Sequence, residues 1–376
     1  MVHFNVNFQY FNSFADITLS LAKTLSEQSV PVSIEPSELS RDALKVIGNQ
    51  EKEMLEYWMK QSPSELFQLK WSHYWPTTRD LQLKGHVNFE LFAINYEFTR
   101  NDQPNDDWIQ STVSNSYHKL AVSHYCKQIL LQAGCSESEV SVLPLGANPF
   151  LLNSSTLEAQ IHPQKSPQIK RFLHLTNSWD LYRFGTDIFL PLFCEEFLGN
   201  PSVVLIIKDG GSNHNKVMEM ASDLRQKFGN KMPSIYLIRR LLNKTDLAKL
   251  YLLSDVLVAP FRGEGFAIKI LDAFAAGLPV IMPLYGGPTE YANSSNCYPI
   301  EYDLVPLGNC YDTQYIKPQN APHWAEPKRE SLREQLHRVI EDENQTLIRQ
   351  KAKETAQQFS WENTAKKLLA LMRKLC

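Results

Sequence analysis

The run Val203-Val204-Leu205-Ile206-Ile207 constrains this chain most strongly. Five consecutive apolar residues leave no polar face, so a strand built from them is covered on both sides. The run sits inside a regular alternation. Strand-like stretches at 171–175, 203–207, 235–238, 256–259 and 280–282 are separated by helical patterns at 187–197, 218–228, 246–253 and 267–276. Thr245 reads as the N-cap of the third helix, and Gly277 closes the fourth. A β-α-β-α alternation of this kind implies a parallel sheet with helices on both faces.

The first 150 residues carry the same grammar more faintly. Val2-His3-Phe4-Asn5-Val6-Asn7-Phe8 alternates as a half-buried strand does. Phe14, Ile17, Leu21 and Leu25 then share one face of a helix over 14–28, and 30–34 reads as the next strand. A short strand at 121–122, a helix over 123–133 ended by Gly134, and a strand at 140–145 stopped by Gly146 complete the segment. Residues 153–168 are polar, hold two prolines and lack periodicity, as a linker would. The chain of 376 residues therefore divides into a first domain over 1–155 and a second over 165–357.

Net charge is −3 and the pI is about 6.4, which argues against a nucleic-acid partner. No apolar run reaches the roughly 18–20 residues of a membrane helix, and the N-terminus has no secretory pattern, so a cytoplasmic protein is expected. None of the six cysteines has C-x-x-C spacing, so they read as reduced packing residues rather than zinc ligands.

In open parallel sheets, ligands sit beyond the carboxyl ends of the strands. The segment after the 256–259 strand is the densest candidate. Glu264 lies between Gly263 and Gly265, and a helix follows that carries a second acid, Asp272. The glycines permit close backbone approach, and a helix N-terminus offers N–H groups to an anion. Such a loop can hold a phosphate beside a polyhydroxyl group. Two carboxylates flanking one bond, the glycosidase arrangement, do not fit an acid on a loop and another on a helix. A dinucleotide dehydrogenase does not fit either, since no G-x-G-x-x-G follows the first strand.

The stretch E-G-F-A-I-K-I-L-D-A-F-A-A-G-L-P-V-I, Glu264 to Ile281, resembles the E-G-F-G-x-P-x-x-E-A-M-A-x-G-x-P-V-I motif of family 4 retaining glycosyltransferases. Ser254 to Pro260, Gly286-Gly287-Pro288-Thr289-Glu290, Val142 to Asn148 and Phe359-Ser360-Trp361-Glu362 resemble further motifs of that family. Trp71 to Pro76 and Tyr96-Glu97-Phe98 through Trp108 are similar to one of its branches. The resemblance covers about 70–150 and 170–376. It implies the α/β GT-B fold, two Rossmann-like doubly wound domains facing a cleft, with a closing helix over about 358–376 packing back on the first. It also implies transfer of a sugar from a nucleotide diphosphate sugar, UDP- or GDP-linked, to an acceptor hydroxyl on a glycan, a lipid-linked group or a protein. Anomeric configuration would be retained, and with no D-x-D motif neither metal nor cofactor is expected.

By the same resemblance, Glu264 contacts the transferred sugar, and Gly265 with the amides of Phe266, Ala267 and Ile268 faces the sugar and its phosphates. Asp272 accepts from ribose hydroxyls. Arg239 and Leu241 lie where the base would rest, and Thr289 and Glu290 near the phosphates. His73, Glu97 and, more weakly, His86 are acceptor-side candidates. Three departures stand out. Phe184 occupies the place of a phosphate-binding lysine, leaving Arg183 or Lys208 to neutralise the leaving group; Asp272 replaces a glutamate; and Asn12-Ser13-Phe14 replace glycines of the first loop. These departures support an alternative reading, a degenerate GT-B protein that binds a nucleotide or a partner protein without turnover.

Overall fold

A computed structural model describes residues 1–8, 13–39, 44, 47–61, 67–72, 87–92, 117–161, 165–210, 214–306 and 323–375. These residues form two compact units. The first comprises 1–146 with 359–375, and the second 147–306 with 323–358.

In the first unit, β1 (Val2–Phe8) is followed by α1 (Ser13–Glu27), β2 (Val32–Leu39) and α2 (Asn49–Met59). Next come β3 (Phe67–Ser72), β4 (Val87–Phe92), β5 (His118–Ala121), α3 (His124–Gln132) and β6 (Val140–Val142). The six strands pair in parallel in the order β2-β1-β3-β4-β5-β6. The expected face of α1 is buried at Ile17, Leu21 and Leu25, but so are Ala15, Leu19 and Ala22. The reason lies at the other end of the chain. The closing helix, Trp361–Leu375, packs on α1, so α1 is covered on more than its sheet side. Thr364 Oγ1 of that helix donates to the Pro144 carbonyl at 2.8 Å. Gly146 is glycine because a Cβ there would lie 2.5 Å from the Trp361 nitrogen.

The second unit opens with α4 (Pro149–Leu152) and α5 (Ser155–Ile161). The helix α5 corrects the expectation of an unstructured linker over 153–168. Its acid, Glu158, accepts from Ser154 Oγ at 2.5 Å and pairs with Lys353 at 3.0 Å, so partners distant in sequence support it. Then follow β7 (Lys170–Thr176), α6 (Thr186–Glu196), β8 (Val203–Asp209), α7 (Lys216–Phe228), β9 (Ser234–Ile238) and α8 (Lys244–Leu253). The sheet is completed by β10 (Val256–Val258), α9 (Ile268–Ala275), β11 (Val280–Pro283) and β12 (Tyr298–Ile300). A two-stranded antiparallel ribbon, β13 (Tyr302–Pro306) with β14 (His323–Pro327), precedes α10 (Arg329–Glu341), α11 (Gln345–Gln357) and α12, the Trp361–Leu375 helix. Asn243, not Thr245, caps α8: its Oδ1 accepts the Asp246 N–H at 2.8 Å, so the helix starts earlier than expected.

The second sheet is all parallel, in the order β12-β11-β10-β7-β8-β9. This is the doubly wound order that reverses between its first and fourth strands, here β7 and β10. Its core gathers Phe172, Phe189, Phe193, Leu205, Ile207, Val258, Ile281 and Leu336. Val203, Leu205 and Ile207 of the diagnostic run are fully covered, while Val204 and Ile206 are half-buried. Among the described residues, no helix is long and apolar enough to cross a membrane.

Candidate functional site

The strand order reverses where the chain leaves β7 in one direction and β10 in the other, the place where open parallel sheets of this order take their ligands. The connections after these two strands carry Arg183 and Glu264. Lys208 lies at the carboxyl end of β8, and Arg239 and Leu241 follow the end of β9. Parallel strands place all these ends on one edge of the sheet.

The loop after β7 is anchored at its start by Asp209. The Asp209 carboxylate accepts the Ser178 N–H at 2.8 Å and the Ser178 hydroxyl at 2.6 Å, and Ser178 Oγ accepts the Val217 N–H. The loop ends at Gly185, with φ +68°, where a Cβ would lie 1.9 Å from the Pro260 carbonyl oxygen. Gly185→Ala therefore combines a left-handed backbone with a backbone clash. It is expected to cost roughly 3 kcal/mol and to lower the melting temperature of the full chain by about 6 °C or more. A variant melting within 1 °C of wild type would contradict this close approach.

Between these anchors, Arg183 Nε donates to Asp180 Oδ2 at 2.6 Å, and its Nη1 reaches Glu264 Oε1 at 3.1 Å and the Gly263 carbonyl at 3.2 Å. Lys269, in the first turn of α9, donates from Nζ to the same Glu264 Oε1 at 2.6 Å. Burial by itself would raise the Glu264 pKa, but Lys269 and Arg183 outweigh it and hold the carboxyl below its ordinary value. Glu264 is thus an ionised acceptor, suited to sugar hydroxyls rather than to proton donation. Burial pulls the Lys269 pKa down to about 8, with Glu264 opposing.

The glycines after β11 support this loop from below. Gly287 donates its N–H to the Glu264 carbonyl at 2.7 Å, and a Cβ on Gly287 would lie 1.7 Å from the Gly265 oxygen. The Tyr291 hydroxyl lies 2.8 Å from the carbonyl oxygens of both Phe266 and Ala267. Ala267 adopts φ 60°, a left-handed N-cap conformation costly for a residue with a Cβ, and α9 opens at Ile268 without a side-chain cap. Thr289 Oγ1 donates to the Gly286 carbonyl, and Glu290 closes the same short turn.

Lys208 is 9% exposed, and its Nζ donates to the Asp209 carbonyl at 3.0 Å. Among the described residues, no carboxylate lies within ion-pair distance of it. Burial lowers its pKa, opposed by the nearby Asp209 charge. A buried ammonium in this setting is short of negative charge. Arg239 places Nη2 on the His214 carbonyl and Nε 3.8 Å from Asp209 Oδ2, and Leu241 is exposed beside it. Asp272 is buried, and its Oδ1 accepts the Asn148 N–H at 2.8 Å, so it ties the start of this unit to α9. His73, His86 and Glu97 lie outside the described residues, as does Asn12.

Three groups of the site were not singled out from sequence. Lys269 is a cation in the first turn of an apolar helix, where the macrodipole disfavours positive charge, and that oddity was a usable signal. Arg262 and His174 gave none. Arg262 forks onto both oxygens of Asp187, at 2.8 and 2.9 Å, and both oxygens of Glu326, at 2.6 and 2.7 Å, and donates to the Tyr182 carbonyl. His174 bonds the Val258 carbonyl and Thr186 Oγ1, and burial lowers its pKa to about 4, so a neutral ring braces β7, β10 and α6 beneath the site.

This fold is the α/β GT-B arrangement of two doubly wound units found in solved glycosyltransferases. Residues 187–305 match the family model described as Glycosyl transferases group 1. A D-inositol 3-phosphate glycosyltransferase from Corynebacterium urealyticum is 28% identical over 131 residues, 35% of this chain. The chain spans only 26% of the length of that relative. A glycosyltransferase from Rickettsia africae superimposes with a TM-score of 0.67 at 16% identity, over 100% of this chain and 98% of its own. Anabaena HepE, solved in complex with UDP and glucose, superimposes with a TM-score of 0.62 at 14% identity, over 100% of both chains.

Proposed function

We propose that this protein is a retaining glycosyltransferase that moves a sugar from a nucleotide diphosphate sugar, UDP- or GDP-linked, to an acceptor hydroxyl. The observation that carries the reading is the charge pattern at the point of strand reversal. An ionised Glu264 is held by Arg183 and Lys269, and a buried Lys208 at the carboxyl end of β8, the strand next to β7, has no carboxylate partner among the described residues. The group 1 match over 187–305 and the fold shared with HepE support it.

In this reading the diphosphate lies over the carboxyl ends of β7, β8 and β10. As the bond from the sugar to the leaving oxygen lengthens, negative charge grows on the diphosphate. Arg183, Lys208 and the uncapped opening of α9 stabilise it in place, with no solvent to reorganise. Glu264 accepts hydrogen bonds from sugar hydroxyls, and a phosphate oxygen of the donor takes the acceptor's proton. The base rests by Arg239 and Leu241, with Asp272 at the ribose side of α9. No metal is required by these steps. The acceptor is a glycan, a lipid-linked group or a protein.

A melting screen of the full chain against UDP, GDP, ADP and their glucose and mannose conjugates tests the donor. A ligand at 100 times its dissociation constant adds about 2.7 kcal/mol, so one base class is expected to raise the melting temperature by several degrees. No shift with any of them would overturn the reading. A shift without donor hydrolysis or transfer on prolonged incubation would replace it with nucleotide binding without turnover.

A further inference from the structure

The geometry points to Lys269 as the cation that receives the terminal phosphate of the nucleoside diphosphate, held in position between the Glu264 carboxylate and the face of the Phe184 ring. This rests on the donor reading above and adds to it a residue outside the loop after β7.

Lys269 Nζ lies 3.8 Å from the centroid of the Phe184 ring and 2.6 Å from Glu264 Oε1. An ammonium has three donors. One is used by Glu264, one side is turned to the ring face, and the third meets no acceptor among the described residues. The side chain keeps 16% of its surface exposed. An aromatic face attracts a cation without neutralising it. Phe184 therefore fixes the ammonium without neutralising it, and Glu264 is its one ion-pair partner among the described residues.

The charge balance points the same way. One oxygen, Glu264 Oε1, takes both Arg183 and Lys269. The second acid nearby, Asp180, is spent on Arg183 Nε. Lys269 also stands in the first turn of α9, where the helix adds partial positive charge and no side chain caps it. Two full cations and two carboxylates thus balance here, Arg183 taking both acids and Lys269 only Glu264, and the uncapped helix N-terminus leaves a partial positive charge. A phosphate answers that remaining partial charge at the helix opening beside Lys269, and a neutral sugar hydroxyl does not. The charged or titratable groups facing Lys269 are Glu264 from its own loop, Arg183 and Asp180 from the loop after β7, and His174 from β7. Among these, Lys269 is the one whose charge changes near pH 8.

The test is calorimetric titration of the full chain with UDP, UMP, GDP and GMP between pH 7 and 9.5, using wild type, Lys269→Met, Lys269→Arg and Lys208→Met. The ratio of diphosphate to monophosphate affinity is the readout, because titration of the base cancels in it. Lys269→Met is expected to lower that ratio at least tenfold, and Lys269→Arg to recover most of the loss. The wild-type ratio should fall as pH rises through 8, and the Lys269→Arg ratio should stay flat. Equal weakening of monophosphate and diphosphate in Lys269→Met would make the residue structural and overturn the assignment. So would a wild-type ratio that does not change with pH, a result available even if Lys269→Met fails to fold. Loss in Lys208→Met alone would keep the donor site and remove Lys269 from it. If no nucleotide binds wild type at all, the donor reading itself falls, and this assignment with it.

Discussion

Glu264→Gln is expected to lower turnover by at least a hundredfold while the chain stays folded. The carboxylate is ionised and carries two cations on one oxygen, Lys269 at 2.6 Å and Arg183 at 3.1 Å. Glutamine keeps the volume and an acceptor oxygen but not the charge. Hydrogen bonds to an ionised acceptor are about twice as strong as neutral ones, and loss of one preorganised contact to a transition state costs roughly 10²–10³ in rate. Part of the effect comes from geometry, because Lys269 loses its one ion-pair partner among the described residues and Arg183 is left with its pair to Asp180. Nucleoside diphosphate binding should survive, since both cations then turn to the phosphates. The measurement is transfer rate with the donor identified by the melting screen, alongside a melting curve and a binding isotherm for the free diphosphate. A variant turning over within threefold of wild type would remove Glu264 from the reaction.

Arg262→Met is expected to destabilise the second unit by about 3–5 kcal/mol. Arg262 is 5% exposed. Its fork joins Asp187 at the start of α6, Glu326 on β14 and the Tyr182 carbonyl, and its own backbone bonds the Arg183 carbonyl and the Ala325 N–H. The guanidinium also lies 5.5 Å from the Trp324 ring centroid. Methionine fills the volume but leaves two carboxylates facing each other without their shared cation. Of the ties between the loop holding Arg183 and the loop holding Glu264, the guanidinium bond to the Tyr182 carbonyl is then lost, and the backbone bond and the Arg183–Glu264 pair remain. A fall in melting temperature of roughly 10 °C is expected, with weaker nucleotide binding at temperatures where the variant remains folded. A drop of less than 2 °C would show that the ribbon and α6 hold the site without this arginine. The double variant Arg262→Met, Asp187→Asn should melt higher than Arg262→Met alone, because it removes one of the stranded charges.

The contrast between these two residues shows how the site was readable. Glu264 sits in a short contiguous motif after a buried strand, and its setting between two glycines marks it without any knowledge of contacts. Arg262, two residues earlier, has no marking at all, since its partners are 75 and 64 residues away. Phe184 looked like the loss of a cation. In the structure its ring lies beneath the ammonium of Lys269, 85 residues further along. Asp272 is marked by its place in the motif, whereas its bond to the Asn148 amide, 124 residues before it, is not legible there. Thr245 and Asn243 are equally good caps by residue type, and only the backbone at the start of α8 selects Asn243.

Local pattern by itself determined the second unit's parallel sheet, the place of its strands and helices, the glycine at the end of α9, and the loop where Glu264 stands. Those features follow from residues within a few positions of one another, through side-chain periodicity and backbone sterics. The strand order, the burial of α1 by α12, the helix in place of a linker at Ser155–Ile161, and the pairing of Arg183 and Lys269 on one carboxylate oxygen were decided by tertiary structure alone. Each depends on groups distant in the chain meeting in a low-dielectric interior. There the energy of a charge or a helix face is set by what stands opposite it, and sequence spacing carries no record of that.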